Sequence, residues 1–137
     1  MIQRIQTLWL FLAGSFAFLT LVFPTYSGYV DSTKPHVALN GLSGGLGIML
    51  LTVLAGLFSL VAIGLFKNRK AQLYLCLGVL LAEVVLIYLY YGKTADYKEG
   101  NYAFMAILHP AILVMIILAV VGIRKDEKLL RESDRLR

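Results

Sequence analysis

Four long apolar runs alternate along the chain with short polar segments. The first extends from about Ile5 to Phe23 and stops at Pro24, and the second from about Gly44 to Phe66, where Lys67, Asn68, Arg69 and Lys70 follow. The third covers about Ala71 to Tyr91 and ends at Gly92, and the fourth about Tyr102 to Ile123, ending at Arg124. A helix rising about 1.5 Å per residue needs roughly 20 residues to cross a hydrocarbon core about 30 Å thick, and each run has that length. The runs are continuous rather than alternating, and about twice as long as a membrane strand needs to be. The pattern predicts an all-α fold: one domain over residues 1–137, an integral membrane bundle of four transmembrane helices.

Lysine and arginine set the expected orientation, because cytoplasmic loops retain them. With both termini in the cytoplasm, the inner side carries Arg4, Lys67, Arg69, Lys70, Arg124, Lys125, Lys128, Arg131, Arg135 and Arg137, ten of the 13 basic residues. The outer side carries Lys34, Lys93 and Lys98. Tyr26, Tyr29, Tyr88, Tyr90, Tyr91, Tyr97 and Tyr102 mark the outer interface, where an aromatic ring with a polar tip sits well, and Trp9 is their counterpart near the inner face. The competing reading of the first run is a cleaved signal peptide, with Thr25 and Ser27 as the small residues. Its apolar stretch exceeds the 7–15 residues typical of such a core, and few positive charges precede it.

Lipid offers apolar side chains little reason to associate, so helix packing relies on small residues and interhelical hydrogen bonds. Ala13, Gly14, Ser15 and Ala17 in the first run, with Gly41, Gly44, Gly45, Gly47, Ala55, Gly56, Ser59, Ala62 and Gly64 in or near the second, supply close-approach positions. Gly41 with Gly45 and Ala55 with Ser59 have the small-xxx-small spacing, read as packing within the bundle, with a dimer or partner contact as the other use. The segments from Thr25 to Ser43 and from Gly92 to Asn101 have turn-forming compositions and read as plain surface connections.

Composition agrees with the membrane class: 59% of residues are hydrophobic and 15% charged, and the mean hydropathy is +0.77. The net charge of +5 lies between the runs, and the tail mixes both signs, so nucleic acid is not an expected partner. A single cysteine, Cys76, excludes an intramolecular disulfide and a cysteine-based zinc cluster; inside an apolar run it reads as a core-filling thiol. No phosphate-binding glycine pattern, metal-ligand set or nucleophile and base pair stands out, so neither cofactor nor catalytic residue is expected.

Two ionisable residues fall inside the runs, Glu83 in the third and His109 in the fourth. An ionisable side chain at depth is costly unless paired or hydrated, and marks a candidate functional site. Counted from the inner end, Glu83 lies roughly 18 Å up its helix and His109 roughly 21 Å up the next, so in antiparallel neighbours the two could meet. A proton-responsive pair is one reading and a register-fixing interhelical hydrogen bond the other. Pro110, directly after His109, is expected to loosen the fourth helix and free a carbonyl one turn earlier. The tail 124–137 is rich in helix formers with pairs such as Glu127 and Arg131 at four-residue spacing, and is expected to continue the fourth helix into the cytoplasm. Its Arg124, Lys125, Asp126, Glu127, Arg131, Asp134 and Arg135 form a candidate cytoplasmic contact surface, the other reading being a solvated helix resting on the membrane.

The opening from Met1 to Leu8, the loop from Lys67 running into Gln72, and the stretches from Ile123 to Leu129 and from Ser133 to Arg137 resemble the family known as domain of unknown function 4293. That resemblance implies a four-helix protein of the cytoplasmic membrane of Bacteroidota-type bacteria and carries no activity. Between Leu118 and Ile123 the chain reads Ala-Val-Val-Gly, where a more polar, basic stretch would be expected. The functional expectation is a non-enzymatic accessory or assembly subunit in the inner membrane. Its expected partners are the bilayer and another membrane protein or further copies of itself. The alternative is a small proton-linked transporter or channel acting as an oligomer.

Overall fold

The computed structural model describes residues 2–30, 33 and 35–135, without the side chains of 2–4 and 134. In chain order it contains α1 (Ile2–Val22), β1 (Tyr26–Tyr29), β2 (Val37–Leu39), α2 (Leu46–Gly64), α3 (Arg69–Thr94), β3 (Glu99–Tyr102), a 3-10 turn at Phe104–Ile107, and α4 (Leu108–Arg135). Four helical segments are long and apolar enough to cross a membrane.

Local chemistry explains the helix ends. Pro24 disfavours helical geometry in the residue before it, and α1 finishes at Val22. The approach to α2 turns on Gly45, whose φ of 104° is a conformation that side chains with a Cβ seldom adopt. Asn68 caps α3 by accepting a 3.2 Å hydrogen bond from the Ala71 amide, so α3 begins at Arg69, inside the polar cluster expected to be a loop. Its far end continues through Tyr91 and Gly92 to Thr94, with Lys93 placed favourably against the C-terminal dipole. The tail joins α4 without interruption as far as Arg135.

The helices form a ring in which α1 packs on α2 and α4, and α3 packs on α2 and α4. Leu10, Ala13, Ala17, Ala55, Ala62, Cys76, Val79, Ile112 and Ile116 fill the main core, while Phe11, Leu50, Leu81 and Ile117 face outward. Helices apolar on outer and inner faces alike suit a lipid surround. Ala55 and Ser59 pack inside the bundle as their spacing suggested. Gly41 and Gly45 do not form a helical pair, because both precede α2.

The all-α expectation is corrected by a three-stranded antiparallel sheet in the order β2-β1-β3, built from the two segments read as plain connections. Tyr26 stands opposite Leu39 on one side and Tyr102 on the other, and Gly28 is opposite Gly100. This last pairing has a steric cause. A Cβ on Gly28 would lie 2.6 Å from the Gly100 Cα, and one on Gly100 would lie 2.7 Å from the Ser27 carbonyl oxygen and the Tyr26 ring. A small second core of Tyr26, Leu39, Ile48, Leu86 and Tyr90 joins the sheet to the helices beneath it.

The opposite end of the bundle is polar. Gln6 and Gln72 are buried there, Gln6 packs over Gly122, and Arg69 Nη1 lies 3.1 Å from Asp126 Oδ2. That approach is an ion pair by distance, with angles outside those of a hydrogen bond.

Candidate functional site

The fold places one buried polar cluster just under the sheet. The stripe Gln72, Cys76, Val79, Glu83, Leu86 and Tyr90 is the buried face of α3, at the three- and four-residue spacing of a single helical side. Glu83 is thereby held in the bundle with 1% of its surface exposed. On the facing helix, His109 is the second residue of α4, and the 3-10 turn before it aims the imidazole inward. His109 Nδ1 and Glu83 Oε1 are 2.5 Å apart. With Glu83 ionised, the Nδ1–H donates to the carboxylate, which fixes the tautomer of a neutral ring and leaves Nε2 as an acceptor.

The sheet supplies what faces that second nitrogen. Thr25 Oγ1 lies 3.4 Å from His109 Nε2. Its backbone is held from two sides: the Thr25 amide donates to the Leu39 carbonyl at 2.8 Å, and the Ala103 amide donates to the Thr25 carbonyl at 3.0 Å. Tyr90 completes the group, its ring centroid 4.8 Å from that of His109. The Tyr90 hydroxyl is buried against the Thr25 side chain, its nearest polar neighbour, outside the geometry of a full hydrogen bond.

The structure therefore brings Glu83 and His109 together and adds Thr25 and Tyr90, which sequence reasoning missed. In the sequence Thr25 only opens a surface connection, and Tyr90 stands among the interfacial aromatics. Tyr88 and Tyr91 are indeed exposed, but Tyr26 and Tyr90 are buried. Pro110 lies in the first turn of α4, so the expected kink within a long helix is replaced by the change from 3-10 to α geometry. Three other buried hydroxyls bond within their own helices. Thr20 donates to the Ala17 carbonyl, Thr52 to that of Ile48, and Ser59 to that of Ala55. Among the described residues, no three His, Cys, Asp or Glu side chains converge as a metal site would require.

The candidate contact surface at the tail divides. Asp126 is engaged with Arg69, and Arg131 Nη2 donates to Glu127 Oε1 at 2.6 Å. Arg124, Lys125 and Arg135 are exposed, as are Leu129 and Leu130 beside them. The side chain of Asp134 lies outside the described residues.

The family model described as Domain of unknown function (DUF4293) matches residues 2–136, and the chain belongs to that family. No curated protein and no solved structure matches the chain.

Proposed function

We propose that this member of the DUF4293 family is a non-enzymatic accessory or assembly subunit of a complex in the bacterial inner membrane. In this reading the protein crosses four times with both termini in the cytoplasm, and the end of α4 is its contact surface. The observation that carries it is the projection of α4. At 28 residues this helix is about 42 Å long, more than the hydrocarbon core requires. Asp126 is tied to Arg69 at the end of the bundle, and the turns beyond carry Leu129 and Leu130 half exposed. The Glu127–Arg131 and Lys128–Glu132 pairs support those turns as helix. An ordered helix offering two leucines between charges of both signs suits a protein partner better than a lipid surface, which favours lysine and arginine alone.

Proton-linked transport by an oligomer is the second reading, favoured by the buried Glu83 and His109. Transport needs a path to both sides. Along α3 the next buried polar residue toward the tail end is Gln72, about 16 Å from Glu83, and the bundle hydroxyls between bond to their own helices. That gap favours the accessory reading.

Purification in mild detergent from the native membrane, comparing the full chain with one ending at Lys128, tests it. A stoichiometric partner held by the full chain and lost on truncation supports the reading. Retention of every partner by the truncated form, or a homo-oligomer alone from both, overturns it in favour of transport, with proton flux in liposomes and Glu83→Gln as the next measurement.

A further inference from the structure

At the sheet end of the seam between α3 and α4 lies a cleft of about 290 Å³. Its mouth is framed by Ile87, Tyr91, Tyr102 and Pro110, all exposed, and its inner wall is Thr25, Tyr90 and His109, each 4% exposed. The mouth opens on the outward side of two helices whose neighbouring surfaces are apolar. A molecule would therefore enter it from lipid, at the depth of the exposed tyrosines.

The hydrogen-bonding groups of the inner wall are not all engaged with good geometry. With Glu83 ionised, His109 gives it the Nδ1–H, and its Nε2 is faced by the Thr25 hydroxyl at 3.4 Å, a long contact. The Tyr90 hydroxyl, buried against the Thr25 side chain but outside hydrogen-bond geometry with it, is the donor left over. A buried hydroxyl of this kind is costly unless something accepts from it. The group it calls for is an acceptor. The lining carries no lysine or arginine to match an anion and, apart from these three residues and the two rim tyrosines, is aliphatic, so the rest of the ligand is neutral and apolar.

We propose that this cleft binds a membrane-soluble neutral molecule through a carbonyl oxygen that accepts from Tyr90. Two sources supply that chemistry, the ester carbonyl of a glycerolipid and the ring carbonyl of a quinone. A quinone carbonyl would also stand beside the His109 and Glu83 pair. The site is at the opposite end of the bundle from the tail surface and is independent of it.

The test uses the full chain in detergent with two probes: equilibrium binding of 2-methyl-1,4-naphthoquinone, and retention of dioleoylglycerol read by native mass spectrometry. Each is repeated on Tyr90→Phe and Ala106→Trp. Tyr90→Phe removes only the hydroxyl oxygen and should leave thermal stability nearly unchanged, while weakening binding about tenfold. Ala106→Trp fills the cleft and should abolish binding. Saturable binding of one molecule per chain with those losses supports the site, and the probe that binds identifies the source. Binding of neither probe, or equal binding by wild type and Ala106→Trp, overturns the proposal. If Tyr90→Phe fails to fold, its hydroxyl has a structural role and the assignment of Tyr90 falls. Ala106→Trp then decides for the cleft alone.

Discussion

Glu83 and His109, 26 positions apart in the chain, meet across the α3–α4 seam with Nδ1 and Oε1 2.5 Å apart, both side chains almost wholly enclosed. Removing one partner of a buried pair strands the other. Glu83→Ala and His109→Ala should therefore each destabilise the fold by about 3 kcal/mol, near the lower end of what breaking buried pairs costs. Glu83→Gln, which keeps an acceptor, should cost about 1 kcal/mol. The double replacement Glu83→Leu with His109→Leu should recover most of the loss, because two apolar groups leave nothing unsatisfied. Thermal unfolding in mild detergent measures all four, and equal losses for Gln and Ala at position 83 would show that the hydrogen bond contributes little.

Much of this was legible in the residues themselves. The four runs give four helices, and counting residues from the tail end puts Glu83 and His109 near one height, where the structure joins them. The sheet was not legible. Its segments, Tyr-Ser-Gly-Tyr, Val-Ala-Leu and Glu-Gly-Asn-Tyr, are three or four residues long and mostly poor strand formers. They pair because helix ends bring them side by side, which is tertiary information. The burial of Tyr90 did leave a signal, since it continues the stripe of Cys76, Val79, Glu83 and Leu86 whereas Tyr88 and Tyr91 fall off it.

The opposed glycines of the sheet leave no room for side chains. Gly28→Ala or Gly100→Ala should destabilise the sheet end by about 1–3 kcal/mol, the usual cost of overpacking. Hydrogen exchange should locate the damage at the Ala103 amide, which donates to the Thr25 carbonyl. Unchanged protection there in both variants would contradict the strand register.

At the other end, Arg69 and Asp126 are mostly covered, with side-chain exposures of 18% and 13%. Arg69→Asp and Asp126→Arg should each be destabilising, and the exchanged pair should restore stability, with a coupling of about 1 kcal/mol after allowance for partial solvent screening. Additive single effects in the double-mutant cycle would mean that the two charges do not interact.

Orientation has a direct test. Cys76 lies in the core, so a membrane-impermeant maleimide should leave the native chain unlabelled. Cysteines placed at the exposed Thr33 and Ser133 positions should then report opposite sides. In intact spheroplasts Thr33→Cys should react, and Ser133→Cys should react only after permeabilisation. The reverse result would place the tail outside the cytoplasm.

Because β1 pairs with both β2 and β3, the sheet laces the α1–α2 and α3–α4 hairpins together at one end, while at the other they are joined by the short connection 65–68 and by Gln6 packed over Gly122. A pull on the projecting part of α4 would bear first on the ion pair of Arg69 with Asp126, and only through the packed core on His109 at the sheet end.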